Sequence, residues 1–212
     1  MKGGLSWRDS VIDWLTLSNM RLGITGGIGC GKSTAAQLFE TLGWRRIDCD
    51  AVVHGLLAND VGVKGRIVER FGAEVLGEDG AIVRSALGAI VFADSRALKD
   101  LEAILHPETS KTWEGMVETE PDANWVIEIP LLFEKKLENR VDLTVCVFSD
   151  LSSQLTRLER KGMNRHQAMA RIEAQIPLSE KAEKADFTLL NDGSLSFLET
   201  QVKQLVSRIQ NI

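Results

Sequence analysis

The chain has 212 residues, of which 44% are hydrophobic and 26% are charged. These proportions are typical of a folded globular domain and argue against disorder, collagen-like repeats or a disulfide scaffold, while a scale of about 150 residues per domain predicts one domain with an elaborated lobe. The formal net charge of -5 argues against broad binding to nucleic acid or to anionic membrane, since both require a large positive field. Any anionic ligand therefore requires positive charge that is concentrated locally.

The cysteines indicate the redox environment of the protein, and the apolar runs indicate whether it spans a membrane. Cys30, Cys49 and Cys146 form neither a disulfide framework nor a zinc-ligand spacing, which favours a reducing environment. The best apolar run, residues 125–133, is far shorter than the roughly 20 residues needed to span a bilayer, and Glu128 interrupts it. Because the N-terminus lacks the pattern of a secretory signal, we expect a cytoplasmic protein without a membrane span.

Residues 1–19 form an extension ahead of the first predicted strand. Ser6 and Asp9 make a Ser-x-x-Asp helix start, and the apolar residues that share one helical face are Trp7, Val11, Trp14 and Leu15. Two interpretations are open: a short amphipathic helix that packs on the body or on a partner, and translation from an upstream start codon.

From Met20 onward, strand-like and helix-like segments alternate. The predicted strands are residues 21–25, 44–48, 125–129, 143–148 and 187–190. The last three are apolar and β-branched enough to be buried on both faces. Alternation of this kind predicts right-handed crossovers, and therefore an α/β fold with a central parallel five-stranded sheet between layers of helices.

Two helical insertions interrupt this alternation within a domain that spans residues 20–212. Residues 50–120 are mostly helical and too long for one crossover helix, which predicts an inserted helical lobe over about residues 51–120. A second helical insertion, over about residues 150–184, is rich in Arg and Lys and is predicted to be a lid.

Residues 26–33, Gly-Gly-Ile-Gly-Cys-Gly-Lys-Ser, fit the Walker A pattern and lie between a predicted strand and a predicted helix. This combination predicts a P-loop NTPase-type three-layer fold and a nucleotide site; the alternative is a Gly-rich turn without a ligand. Lys32 is expected to reach the β- and γ-phosphates and Ser33 to supply a hydroxyl to Mg²⁺. The loop positions expected to surround the phosphates, aided by the helix N-terminus, are Gly27, Ile28, Gly29, Cys30, Gly31, Lys32, Ser33 and Thr34.

Cys30 lies inside this loop. We interpret it as a small side chain that the loop tolerates, with a redox-sensitive nucleotide site as the alternative.

Two acids, Asp48 and Asp50, lie where the second predicted strand ends. In open parallel sheets the carboxyl ends of the strands converge on the ligand crevice, and a carboxylate there can orient an acceptor hydroxyl and accept its proton late in phosphoryl transfer. Asp50 is the candidate for this role, and it is also predicted to cap the helix that begins with Ala51. Asp48 is predicted to support the metal or the loop. The Asn-Lys-x-Asp motif that reads guanine is absent, which weakens a GTPase interpretation.

The lid carries local positive charge on an acidic protein. Its basic residues are Arg157, Arg160, Lys161, Arg165 and Arg171. Arginines on a helical flap can neutralise charge on a transferred phosphoryl group and exclude water, and the alternative is a solvated helix face.

The chain from Met20 onward resembles the dephospho-CoA kinase family, whose members phosphorylate the ribose 3′-hydroxyl of dephospho-CoA in the last step of coenzyme A synthesis. The segments that carry the resemblance include residues 22–34, Ile-Asp-Cys-Asp at 47–50, Leu-His-Pro at 105–107, Pro-Leu-Leu-Phe-Glu at 130–134 and Ala-Gln at 174–175. Two other functions remain open: another P-loop small-molecule kinase, and a non-catalytic nucleotide-binding regulatory protein.

The resemblance implies ATP with Mg²⁺ as co-substrate and dephospho-CoA as acceptor. It implies that Asp50 is the catalytic acid-base residue, that Thr25 lies beside the transferred phosphate, and that the inserted lobe binds the acceptor. Arg84 and His106 match family positions in that lobe, and Asn191 matches one at the nucleotide.

The chain departs from the family pattern at two places. Glu128 stands where the family usually has Asp, and a longer carboxylate there is expected to hold Mg²⁺ through water. The lid has Arg160-Lys161-Gly162 one residue earlier than the Arg-Asp pair and Gly expected from the resemblance, which leaves Arg157 and Arg160 both as candidates for the phosphate contact.

Overall fold

The computed structural model describes residues 19–210 and has the predicted alternation of strands and helices. The strands are β1 (Arg21–Gly26), β2 (Arg45–Asp48), β3 (Trp125–Glu128), β4 (Leu143–Phe148) and β5 (Phe187–Leu190). The predicted amphipathic helix of the extension falls on residues 1–18 and so lies outside the described residues.

The strands form one parallel sheet in the order β2-β3-β1-β4-β5, which confirms the α/β fold class. β1 lies at the centre, and its register aligns Ile24 with Glu128 of β3 and with Val145 of β4. Asp48 aligns with Glu128 as well, so both acids are at the carboxyl ends of neighbouring strands. The prediction that β5 is buried on both faces is wrong, because β5 is an edge strand and Leu190 is 47% exposed.

Helices cover both faces of the sheet. They are α1 (Lys32–Thr41), α2 (Cys49–Asn59), α3 (Val61–Phe71), α4 (Arg84–Ala93), α5 (Ser95–Thr119), α6 (Leu151–Arg160), α7 (Arg165–Glu173), α8 (Leu178–Lys184) and α9 (Leu195–Gln210). On one face, α1 and α9 bury Phe39, Leu198 and Val202 against the central strands. On the other face, Trp113 of α5 packs against Ile47 and Ile127. This is the predicted three-layer arrangement.

The two helical insertions have hydrophobic clusters of their own. Helices α2 to α5 connect β2 to β3 and enclose a core around Val63, Ile67 and Leu105. Leu158 of α6 and Ala168 of α7 pack together in a smaller cluster. Within residues 19–210, no helix combines the length and apolar character needed to cross a membrane.

Candidate active site

The Walker A segment forms a tight loop between β1 and α1, as its glycines require. Gly31 precedes the first turn of α1 with a φ of 90°, a conformation that favours glycine. A Cβ atom at Gly31 would lie 2.3 Å from Nδ2 of Asn191, so a side chain is also excluded sterically. Asn191 in turn donates from Nδ2 to the Cys30 carbonyl at 2.8 Å. The residue that follows β5 therefore holds the loop in addition to the loop's own backbone bonds.

A pocket of about 420 Å³ opens above this loop. It is lined by Ile28, Gly29, Gly31, Lys32, Ser33, Thr34, Asp48, Asp50, Glu128, Pro130, Arg157, Arg160, Lys161 and Asn191. The structure thus brings together most of the predicted nucleotide residues with both acids and two lid arginines. Gly27 and Cys30 are buried beneath the pocket.

Some loop N–H groups already have partners within the protein. The Cys30 N–H donates to the Gly27 carbonyl at 3.2 Å, and the Ile28 N–H donates to Oε1 of Gln175 at 3.1 Å. Burial raises the pKa of the Cys30 thiol, which keeps it protonated and weakly nucleophilic. This environment favours the interpretation of Cys30 as a small tolerated side chain.

Lys32 lies inside the loop with its ammonium directed at backbone carbonyls. Its Nζ is 3.2 Å from Gly26 O and 3.1 Å from Gly27 O. Burial lowers the pKa of Lys32, and the neighbouring charge of Lys181 lowers it further, whereas Asp50 and Glu128 raise it. A cation that is partly desolvated in this way interacts strongly with an anion, because the local dielectric is low.

The helix after β2 is capped by Asp48, and not by Asp50 as the sequence predicted. α2 begins at Cys49, and Oδ1 of Asp48 accepts hydrogen bonds from the N–H groups of Asp50 and Ala51. Asp48 occupies this position because it is the last residue of β2 and has extended backbone angles. The Asp50 carboxylate is left free to face the pocket. Desolvation in the cleft raises the pKa of Asp50, as does the neighbouring Asp48 carboxylate.

Glu128 is buried at the end of β3 and paired with Arg46. Its Oε1 accepts from Nε of Arg46 at 2.7 Å and lies 2.6 Å from Nη2. Among residues 19–210, no group of three or more His, Cys, Asp or Glu side chains could by itself hold a metal ion. Mg²⁺ in kinase sites is bound by one or two carboxylates together with phosphates and water, so Ser33, Asp48 and Glu128 fit that donor set.

The basic residues of the lid divide into two groups. Arg157, Arg160 and Lys161 line the pocket, whereas Arg165 and Arg171 are exposed elsewhere. Arg157 is committed to the loop: its Nη1 lies 3.1 Å from Gly29 O and 2.8 Å from Ser149 Oγ. Its Nη2 donates to the Asn191 carbonyl. Arg160 makes no such bonds among the described residues and is exposed.

A second, smaller pocket of about 110 Å³ adjoins the first. It is lined by Cys49, Asp50, Val53, His106, Thr109, Ser110, Trp113, Ile129, Pro130, Leu131, Lys135 and Leu137. Burial lowers the pKa of His106, and the nearby charge of Lys135 lowers it further, so the imidazole is neutral at pH 7.

Besides Gly27 and Cys30, two further candidate site residues line neither pocket. Arg84 begins α4 on the exposed surface of the lobe and lines neither of them. Thr25 is fully buried beneath the junction of the pockets, where its hydroxyl lies 3.2 Å from the Pro130 carbonyl.

Among the described residues, Asp50 and Pro130 are the two that line both pockets. A group bound at the Walker A loop and a group bound beside His106 would therefore meet at the Asp50 carboxylate.

A groove of about 530 Å³ also opens between α2 and α5, but it contains no Walker A residue and is mostly apolar.

Sequence reasoning missed several residues of this region. Gln175 was noted only within a matched segment, although its side chain holds the loop at Ile28. Arg46, which neutralises Glu128, and Lys181, which is buried below Pro130, gave no signal in the sequence. A charged residue in a helix or edge strand is usually solvated, so only the packing identifies these as buried partners.

The fold and the site define a P-loop nucleotide-binding protein with a second pocket at the end of its phosphate site. A family model for dephospho-CoA kinase matches residues 20–196. A protein named dephospho-CoA kinase from Carboxydothermus hydrogenoformans is 37% identical over 191 residues, which are 88% of this chain and 93% of that protein. A protein of the same name from Bacillus licheniformis is 38% identical over 198 residues, 90% of this chain and 97% of its own. The chain belongs to the dephospho-CoA kinase family.

Solved structures agree with this assignment. A crystal structure of a protein from Thermus thermophilus matches with a TM-score of 0.78 at 35% identity, covering 89% of this chain and 97% of that one. Dephospho-CoA kinase from Campylobacter jejuni matches with a TM-score of 0.66 at 30% identity, over 90% and 97% of the two chains. A shikimate kinase from Bacteroides thetaiotaomicron, with a TM-score of 0.50 at 19% identity over 90% and 98% of the chains, shares the fold alone.

Proposed function

We propose that the protein transfers the γ-phosphoryl group of ATP to the ribose 3′-hydroxyl of dephospho-CoA, giving coenzyme A and ADP. Family membership supports the reaction. The observation in the structure that carries it is the position of Asp50, whose carboxylate faces both the Walker A pocket and the pocket of the inserted lobe.

In this proposal, the Walker A loop binds the triphosphate. The phosphates lie against the loop backbone and the N-terminus of α1, and the Lys32 ammonium turns from the Gly26 and Gly27 carbonyls toward the phosphate oxygens. Arg157 keeps the loop in shape through its bonds to the Gly29 carbonyl and Ser149. Arg160 is exposed at the pocket edge and is the lid arginine assigned to the phosphoryl charge.

Asp50 is assigned to the acceptor hydroxyl. Its carboxylate has no hydrogen-bond donor among the described side chains, so it is available to accept the 3′-hydroxyl proton as the new P–O bond forms and the bond to ADP breaks. The acceptor lies against His106, where the neutral imidazole can exchange hydrogen bonds with a sugar or phosphate group. Arg84 lies on the exposed surface of the same lobe and is assigned to the distal phosphates of the acceptor.

Mg²⁺ is the second part of the proposed co-substrate. When bound, the ion neutralises phosphate charge and orients the γ-phosphoryl group. Ser33 and Asp48 would hold it, with Glu128 acting through water because its Oε1 is paired with Arg46.

Thr25 acts indirectly, since its buried hydroxyl holds the Pro130 carbonyl at the wall of the site.

The cytoplasm is the proposed location of this reaction. All three cysteines are unpaired thiols and all are buried, which is expected in a reducing compartment. Burial raises the pKa of Cys49 and of Cys146 to about 12, so neither is a reactive thiolate.

The test is a steady-state assay of ADP release with a panel of acceptors: dephospho-CoA, AMP, adenosine and shikimate. We expect dephospho-CoA to give the highest kcat/KM, and mass spectrometry with phosphatase mapping to place the new phosphate on the 3′-hydroxyl. A higher kcat/KM for any other acceptor would refute the substrate assignment, and turnover at the buffer background with all four would refute catalysis.

A further inference from the structure

Lys181 of α8 is the one charged side chain in residues 19–210 that is fully buried, and its position is specific. Its exposed fraction is 0%, and its Nζ lies 2.7 Å from Oε1 of Glu134 and 2.9 Å from the Pro130 carbonyl. Burying an ammonium group is costly unless it is paired and hydrogen-bonded. Both bonds go to the segment after β3, so α8 and that segment are joined at this point.

The pair is not arranged for stability alone. Oε2 of Glu134 is buried and has no hydrogen-bond partner within residues 19–210, so part of its desolvation cost is uncompensated. Replacing a buried ion pair with neutral groups of similar volume is often neutral or stabilising. Stability therefore does not explain why an ammonium group occupies this site.

The Pro130 carbonyl provides a functional explanation. It accepts hydrogen bonds from both Lys181 and the Thr25 hydroxyl, which hold it from below. Pro130 itself forms, with Asp50, the wall that the nucleotide and acceptor pockets share. A shift of this carbonyl would change the alignment of the two substrates at the point of transfer, and misplacement by about 1 Å can cost roughly 100-fold in rate.

Resting on the proposed function, we infer that Lys181 is a positioning residue for phosphoryl transfer. Its ammonium fixes the Pro130 carbonyl and thereby sets the distance between the two pockets. Lys181 does not touch substrate, because it is sealed beneath the wall. Since α8 is the last helix of the lid segment, after α6 and α7, the same contact connects the lid to the wall of the site.

The test removes the contact without leaving a buried charge alone. In Lys181→Met with Glu134→Gln, both charges are lost and both side chains keep their approximate size. The matched control is Lys184→Met with Glu180→Gln, the same pair of changes in an exposed ion pair on the same helix. Each double variant is compared with the wild type for its Tm, its KM for ATP and its kcat with dephospho-CoA.

We expect the Lys181/Glu134 double variant to keep its Tm within a few degrees and its KM for ATP within about 3-fold, while kcat falls at least about 10-fold. The exposed pair should change none of these. If the Lys181/Glu134 double variant folds and has the kcat of the wild type, the inference is overturned, because the pair would then be structural only. Absence of turnover in the wild type would overturn the proposed function, and the inference with it.

Glu134→Gln alone supplies a second measurement in case the double variant does not fold. The Lys181 ammonium loses its counter-charge, but the Gln amide oxygen can still accept from Nζ, and the bond to the Pro130 carbonyl is kept. A kcat within about 3-fold of the wild type supports the inference, and a loss of about 10-fold or more would overturn it.

Discussion

The substitution Asp50→Asn separates chemistry from folding, because the structure gives Asp50 no part in holding α2. Asp48 supplies the helix cap, and no described side chain donates a hydrogen bond to the Asp50 carboxylate. Asn is nearly isosteric with Asp but cannot accept a proton as the hydroxyl attacks. We therefore expect the whole effect to appear in the rate.

The expected loss is about 100-fold or more in kcat, the usual contribution of a positioned acid-base group, which equals about 2.7 kcal/mol of transition-state free energy. ATP binding should survive or tighten, because the substitution removes a negative charge from a pocket that receives phosphates. Isothermal titration with ATP and the ADP-release assay measure the two quantities separately.

Asp50→Asn should lower kcat but should not lower the stability of the folded protein. Desolvation and the Asp48 carboxylate raise the pKa of Asp50, so the ionised form is less favourable in the folded state than in the unfolded state. A group of this kind contributes stability below its unfolded pKa and loses it as pH rises through its folded pKa. At pH 7, Asp50→Asn should therefore have a Tm equal to or above the wild type, and this difference should disappear in acid where both forms are neutral.

The matched control is Asp60→Asn. Asp60 caps α3 by accepting from the Val63 N–H at 2.8 Å, and Asn caps helices as well as Asp does. It lines neither pocket of the site, so kcat should stay within 2-fold of the wild type, roughly the scatter of such measurements. If Asp50→Asn kept kcat within about 3-fold, or lost activity only together with a lower Tm, the assignment of Asp50 as acid-base residue would be refuted.

Three further predictions follow from the geometry. Arg157→Lys should lower the Tm and raise the KM for ATP, because Lys cannot replace the several bonds of the guanidinium. Arg160→Ala should instead lower kcat at an unchanged Tm. Thermal unfolding and steady-state kinetics distinguish the two variants, and equal effects of both would contradict the different roles assigned to the two arginines. Gly31→Ala should destabilise the loop and weaken ATP binding, because a Cβ atom would lie 2.3 Å from Asn191 Nδ2; wild-type affinity in titration would contradict this. His106→Ala should raise the KM for dephospho-CoA about 5- to 10-fold with the KM for ATP unchanged, and equal changes in both would exclude an acceptor role.

The five strands were predictable from the sequence, but the exposure of the edge strand β5 was not. Residues 187–190 read as a buried strand because Phe, Thr and Leu are typical of sheet interiors. Whether such a strand is central or at an edge depends on the order of pairing, which is not a local property. Within the part of the chain that the structure describes, β5 pairs with β4 alone, so Leu190 remains exposed despite an apolar sequence.

The residues of the lobe show a similar limit. His106 and Arg84 were both assigned to the acceptor from the family pattern, but α5 directs His106 into the pocket and α4 leaves Arg84 on the surface. The sequence predicts the helix cap at Asp50, but α2 begins two residues earlier than expected, at Cys49, so Asp48 is the cap. Helix boundaries are uncertain by a residue or two from sequence, and such a shift moves a side chain to another face.

The sequence by itself determined the Walker A loop and the two acids at the junction of β2 and α2, because each depends on consecutive residues whose glycines, strand ends and helix starts fix the backbone locally. Only the tertiary structure decided which side chains meet at the site. Arg157 reaches the Gly29 carbonyl across 128 positions of chain, and Lys181 reaches the Pro130 carbonyl across 51. Contacts over such separations depend on how helices pack on the sheet, and periodicity along the chain carries no record of that packing.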